Sequence, residues 1–284
     1  LLFSPARSTS VKKEPAPNEG LIQRSKEGYR VLGVIARGGM GTILRGRDAE
    51  VGRDVAIKVL REDLAGNRAA IRRFVEEARI SGRLQHPGIV PVYELGGIDS
   101  DRPYFAMKLI EGETLASLLS KRRSTEDELG RFLSIFGAIC QTVSFAHSRS
   151  IIHRDLKPQN IMVGAFGEVQ VVDWGLAKTL TRVSGEPTSG PEPETGPESG
   201  NEATIEGPRS IAGAMMGTPA YMPPEQARGE VERVDARSDV FALGGILCEI
   251  LTGRPPYVGE EAESRRAAAE ARIDDALSRL DGCG

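Results

Sequence analysis

His153-Arg-Asp-Leu-Lys-Pro-Gln-Asn160, followed thirteen residues after Asn160 by Asp173-Trp-Gly175, decides the reading of this chain. Two short apolar runs, Ile161 to Val163 and Val169 to Val172, lie between the two segments. Each has strand length, so together they read as a β-hairpin that returns Asp173 to the end where Asn160 sits. Amide and carboxylate oxygens gathered there suit a hard divalent cation such as Mg2+. Asp155, in the loop just before the first run, stands near enough to orient a hydroxyl.

Working toward the N-terminus, residues 29 to 60 are short β-branched runs separated by glycine: Tyr29 to Ile35, the turn Gly38-Gly-Met-Gly41, Thr42 to Arg47, and Asp54 to Leu60 after Val51-Gly52-Arg53. Gly38, Gly39 and Gly41 would let main-chain N–H groups approach phosphate oxygens, although a glycine-rich turn is also an ordinary hairpin. Val55-Ala-Ile-Lys58 places a lysine in an apolar strand, where a charge needs a partner. Residues 67 to 84 carry Ile71, Phe74, Val75, Ala78 and Leu84 at helical spacing, and Glu77 lies within reach of that stripe. Glu76 reads as a solvent-facing acid. Ile89 to Glu94 and Tyr104 to Ile110 read as further strands. The rest is mainly helical, Glu126 to Ser148 and Ser238 to Leu251 most clearly, so a strand-rich lobe and a helix-rich lobe are expected.

The 284 residues carry 37 Lys+Arg against 40 Asp+Glu, a balance that gives no electrostatic footprint for nucleic acid or a membrane surface. Cys140, Cys248 and Cys283 have no metal or redox spacing. No signal peptide or membrane-spanning run is expected, and the expected location is the cytoplasm, with an anchored longer parent left open. Residues 1–28 read as a disordered leader, and 179–211, dense in Gly, Pro, Glu, Ser and Thr, as a disordered insert. Starting at Leu1, the chain reads as a piece of something longer.

Phosphoryl transfer from a nucleotide needs backbone donors at the phosphates, a lysine, a metal on oxygen ligands and a carboxylate near the acceptor hydroxyl. The segments above supply all four in order, and the set resembles the signature of the eukaryotic-like (Hanks-type) serine/threonine protein kinases of bacteria, from Tyr29 to about Tyr257. Gly38-Gly-Met-Gly41 and Gly217-Thr-Pro-Ala-Tyr-Met222 look like the bacterial branch.

The resemblance implies an α+β bilobal fold, with a small antiparallel sheet and one helix over 29–108 and a mainly helical lobe over 109–284. It implies ATP and Mg2+ as cofactors, Mn2+ being an alternative, and protein Ser/Thr hydroxyls as acceptors, this chain among them. Lys58 should meet the α- and β-phosphates and pair with Glu77. Asp155 should orient or accept the hydroxyl proton, and Lys157 should steady the transferring phosphate. Asn160 and Asp173 should hold metal. Ile35, Ala36 and Ile43 flank the phosphate loop. Met107 resembles the gatekeeper, Lys108, Leu109 and Ile110 the hinge, and Ala56 and Met162 the apolar surfaces on either side of adenine. Thr218 should hydrogen-bond near Asp155. Asp239 resembles a buried aspartate that braces the catalytic loop, and a helix-start acid explains its position nearly as well. A nucleotide-binding pseudokinase scaffold and an inactive truncated fragment are the alternative readings.

The chain departs from the family pattern in places. Ala36 stands where the first loop glycine is usual, Trp174 replaces Phe, and Pro223 replaces Ala. Ser210 and Thr204 are the nearest hydroxyls before Gly217 for a switch by phosphorylation. The usual arginine partner of Glu225 belongs to C-terminal helices that the chain is expected to lack, so a buried carboxylate without a partner is expected there.

Overall fold

The computed structural model describes residues 28–98, 102–180 and 217–283. Most of the expected leader and insert, with Thr204 and Ser210, lies outside the described residues. The chain divides into two compact units, one running to Ala78 and including Pro91–Leu109, the other made of Arg79–Val90 and the residues from Ile110 onward.

The first unit is an antiparallel sheet and a helix. Its strands are β1 (Tyr29–Arg37), β2 (Gly41–Asp48), β3 (Arg53–Leu60), β4 (Val92–Gly96) and β5 (Tyr104–Lys108), in the order β1-β2-β3-β5-β4, and the helix is α1 (Arg68–Arg83). Period-two alternation divides β3 between two cores. Val55, Ile57 and Val59 pack with Tyr29, Tyr104 and Ala106 on one face. Leu60, on the other, packs with Phe74, Ala78 and Phe105. Lys58 shares the parity of Leu60, so its side chain leaves the sheet on the face that α1 covers. The first turn of α1 is capped by Asn67, whose Oδ1 accepts from the N–H groups of Ala69 and Ala70, each at 3.1 Å. The expected strand at Ile89 starts three residues later, at Val92, because Pro91 has no N–H to give a ladder.

The second unit is mainly helical. Its strands are β6 (Gly112–Thr114), β7 (Ile151–Ile152), β8 (Ile161–Gly164), β9 (Val169–Val171) and β10 (Lys178–Thr179). Its helices are α2 (Leu115–Ser120), α3 (Leu129–Ser148), α4 (Pro224–Ala227), α5 (Ala236–Thr252), α6 (Glu261–Ala269) and α7 (Asp274–Asp281). Strands β6, β8 and β9 form one sheet, and β7 pairs with β10. Helix α3 is long and apolar enough by composition to cross a membrane. Its Phe132, Ile135, Ile139, Val143 and Ala146 instead line the core, with Leu156, Ile161, Val171, Trp174, Ile246 and Ile250. Helix α3 begins at Leu129, three residues later than expected, because Glu128 takes a left-handed backbone (φ 53°) that no α-helix propagates. Helix α5 is fixed at both ends, by a capping box between Asp235 and Ser238 and by Gly253 at φ 75°.

Beyond Tyr257 the chain forms α6 and α7, and Arg279 ties α7 to the end of α5 by donating to Thr252 Oγ1 at 2.7 Å and Pro255 O at 2.9 Å. One expectation about the C-terminal part changes. Glu225 is only half-buried, and its Oε1 accepts from Ser238 Oγ at 2.5 Å. Partial exposure and a hydroxyl donor remove the expected cost of a buried, partnerless carboxylate.

Candidate active site

In the second unit, the loop from Ile152 to Pro158 is shaped by a buried carboxylate. Asp239, 1 % exposed, lies in the first turn of α5. Its Oδ2 accepts from His153 N and its Oδ1 from Arg154 N, both at 2.8 Å, and His147 Nε2 lies 2.8 Å from Oδ2. A helix-start acid would need none of these contacts, so the bracing role is the one its surroundings describe. Arg154 is held at φ 68°, a left-handed conformation that a side chain resists. His153 is fully buried. Its Nδ1 accepts from Asp155 N at 3.3 Å, so Nε2 carries the proton and donates to Val172 O at 3.1 Å. Trp174, where the family pattern has Phe, packs edge-on to the His153 ring at 4.7 Å.

Asp155 emerges from this loop into a cluster of donors. Lys157 Nζ donates to its Oδ2 at 2.8 Å and to Thr218 Oγ1 at 2.6 Å. Thr218 N donates to Asp155 Oδ1 at 3.1 Å. Asn160 Nδ2 donates to Asp155 O at 2.8 Å and, more weakly, to Oδ2 at 3.3 Å. The β8–β9 pair sets Ile161 opposite Val171, and Val172 N donates to Asn160 O at 2.9 Å. That pairing carries Asp173 back to the end of the hairpin where Asn160 begins it. Asp173 is exposed and has a left-handed backbone of its own, at φ 63°.

In the first unit, Lys58 Nζ donates to Glu77 Oε1 at 2.5 Å, with the side chains 12 % and 5 % exposed. Glu76, one residue earlier on α1, is exposed. The β1–β2 turn is closed by Gly38 N donating to Gly41 O at 2.9 Å. A Cβ on Gly41 would fall 3.0 Å from Val59 O, so the sheet itself asks for glycine there. Nothing lies within 4 Å of a Cβ on Gly39, and one on Gly38 would meet only Gly41 O at 3.5 Å. Neither glycine has a positive φ, so the fold gives no reason for either. Ile35 and Ala36, on β1 beside this turn, are exposed, and Ile43 on β2 is half-buried.

The positions proposed for adenine divide between the units. Ala56 is buried on β3 opposite Met107 of β5, which packs against the Phe74–Phe105 cluster. Lys108 donates its N–H to Pro91 O at 3.1 Å, which removes it as a backbone donor to a ring edge. Leu109 and Ile110 follow, both half-buried. Met162 is half-buried on β8 between Thr114 of β6 and Gln170 of β9.

The model of the protein kinase domain family matches residues 29–279. The chain belongs to the protein kinase domain family. The match continues past Tyr257, where the readable motifs end, and takes in α6 and most of α7. This kinase domain is similar to the serine/threonine-protein kinase PknD of Chlamydia felis, 41% identical over 238 residues, which are 81% of this chain and 24% of the relative. The protein of the same name from Protochlamydia amoebophila is 36% identical over 265 residues, 90% of this chain and 26% of the relative. The chain spans about a quarter of the length of the curated relatives it matches.

Protein kinases use ATP and a divalent metal, and the residues of this domain fit both. Empty space where Gly39 would carry a Cβ leaves room for a phosphate oxygen close to the main chain. Asn160 turns its amide nitrogen toward Asp155, which directs its oxygen the other way, and Asp173 adds a carboxylate. Among the described residues no cluster of three or more His, Cys, Asp or Glu side chains forms a metal cage. One amide oxygen and one carboxylate would suit Mg2+, which is commonly bound through few protein ligands together with substrate phosphates and water. Gln226, absent from the reading of the sequence, also reaches the catalytic loop: its Nε2 donates to Arg154 O at 2.8 Å. No motif flags it, because a glutamine one residue after Pro-Pro-Glu has no spacing that points at a loop 72 residues away.

Proposed function

We propose that this chain is the catalytic domain of a serine/threonine protein kinase, moving the γ-phosphoryl group of ATP to a protein hydroxyl, its own among the acceptors. The observation that carries this reading is the set of donors around Asp155. A carboxylate offers about four lone-pair sites. Lys157 and Asn160 occupy Oδ2, and Thr218 N occupies one side of Oδ1. The acceptor hydroxyl therefore donates to the remaining site of Oδ1, and that oxygen takes its proton as the new O–P bond forms and the bond to the leaving diphosphate breaks. Lys157, already bridging Asp155 and Thr218, has its third N–H for a phosphoryl oxygen. Lys58, held by Glu77, would meet the α- and β-phosphates, and Gly38 and Gly39 would let the main chain approach phosphate closely.

Asn160 and Asp173 would hold Mg2+, or Mn2+ with the same oxygen ligands, which when bound neutralises charge on the phosphates. Ala56 and Met107, paired on β3 and β5, are assigned to the adenine ring. Its backbone contacts fall to Leu109, Ile110 or the Lys108 carbonyl, since the Lys108 N–H is engaged. Substrates are proteins presenting Ser or Thr, a class that rests on Lys157 following Asp155-Leu156 and on the printed names of the relatives. Incubation with Mg2+, ATP and a generic basic protein tests the reading: phosphoserine or phosphothreonine should form, at least a hundredfold more slowly in Asp155→Ala. Modification at the wild-type rate in Asp155→Ala, or that falls on tyrosine alone, rejects it.

A further inference from the structure

Arg154, the left-handed residue before Asp155, is gripped at both of its peptides. Its N–H donates to Asp239 Oδ1 on α5 and its carbonyl accepts from Gln226 Nε2 on α4, each at 2.8 Å. The second contact bears directly on the reacting group. The Arg154 carbonyl belongs to the peptide that leads into Asp155, so the Gln226 bond fixes the plane of that peptide. Gln226 also lies beside Gly217. Gly217 sits at φ 121°, and a Cβ there would fall 2.8 Å from Gln226 Nε2. The next residue, Thr218, gives its N–H to Asp155 Oδ1. One amide therefore lies where the catalytic loop, α4 and residues 217–218 converge.

We propose that Gln226 is a positioning residue for phosphoryl transfer: its amide fixes the Arg154–Asp155 peptide and couples the seating of α4 and residues 217–218 to the aim of the Asp155 carboxylate. Asp239 holds the loop through α5, whereas Gln226 ties it to α4 beside residue 217. The inference deepens the kinase reading and depends on it only for its kinetic arm.

The test uses the 284-residue chain and two variants. Gln226→Glu keeps the size and shape of the side chain but replaces the donor by a carboxylate that repels the Arg154 carbonyl, and Gln226→Ala removes the group. Both should lower kcat for peptide phosphorylation tenfold or more, Gln226→Glu below Gln226→Ala, with KM for ATP within twofold of wild type. In the absence of nucleotide, amide hydrogen exchange over residues 153–157 should quicken tenfold or more in Gln226→Glu while α3 keeps its protection. Exchange at the wild-type rate over 153–157 overturns the proposal whatever the kinetics, as does wild-type kcat in both variants. A folded wild type that transfers no phosphate would sink the kinase reading instead, and the exchange measurement would still decide the role of Gln226.

Discussion

Lys58 Nζ and Glu77 Oε1 meet at 2.5 Å with both side chains nearly buried, joining β3 to α1 across the core of the first unit. Removing one member of such a pair leaves the other charge in a poorly solvated place, at a cost of about 3–5 kcal/mol. Lys58→Met should therefore destabilise the protein by about that much in chemical denaturation, as well as abolish transfer. Adding Glu77→Gln should restore much of the stability and none of the activity. A single variant as stable as wild type would show that the pair is more hydrated than its burial implies.

The turn glycines separate a ligand's requirement from the fold's. Gly39→Ala puts a methyl group into open space, so its stability should stay within about 0.5 kcal/mol of wild type or rise slightly through the unfolded state. Its KM for ATP should rise severalfold. Gly41→Ala would press a Cβ against Val59 O at 3.0 Å and Lys58 Cγ at 3.1 Å, and should cost about 1–3 kcal/mol. Melting curves and ATP titrations of the two variants check the contrast, and an unaltered ATP affinity in Gly39→Ala removes the phosphate role of that residue.

Asp239 satisfies two main-chain donors at once. Asp239→Asn keeps the shape but turns one acceptor into an N–H that faces another N–H. It should cost nearly as much as Asp239→Ala, about 2–3 kcal/mol, from the penalty of leaving buried donors unsatisfied. Its kcat should fall along with stability. An Asn variant with wild-type stability and rate would mean that the loop holds its left-handed turn without the carboxylate.

Tyr221 donates to Glu249 Oε2 at 2.5 Å, and burial raises the Glu249 carboxyl above its usual range, against the opposing effect of that hydrogen bond. A raised folded-state pKa means that the folded chain binds the proton more readily than the unfolded one. The stabilising contribution is therefore complete below the unfolded carboxylate value, about 4.3, and is lost as pH rises through the folded value. Glu249→Gln keeps an acceptor for Tyr221 and removes the titration. Its melting temperature relative to wild type should climb from pH 4 to pH 8, and a flat difference would contradict the burial argument.

Much of the site was legible because its chemistry is local in sequence. His153 to Asn160 and Asp173 to Gly175 precede and follow one hairpin and so meet at the same end of it, and the lysine in Val55-Ala-Ile-Lys58 announces itself by being charged in an apolar strand. What escaped was set by distant packing. Gly112 looks like a loop residue, yet β6 approaches β8 so closely that a Cβ there would fall 2.1 Å from Val163 O. Thr114 then caps α2 by accepting from Ser117 N, a short helix that no periodicity reveals. Glu225 was expected to be a buried carboxylate lacking the family's arginine partner, whereas it is half-buried and accepts from Ser238 on α5. Gln226 acts through the carbonyl of a residue whose left-handed backbone is invisible in the sequence.

The central claim is that Asp155 Oδ1 receives the proton of a protein hydroxyl as phosphate moves from ATP. Label from [γ-32P]ATP and Mg2+ should appear on Ser or Thr of the chain and of a basic acceptor protein. Asp155→Ala should lower the rate at least a hundredfold, roughly the lower end of what positioned proton transfer contributes, while melting as wild type does within a few degrees. Equal labelling by wild type and Asp155→Ala, or none from a folded wild type, would contradict it.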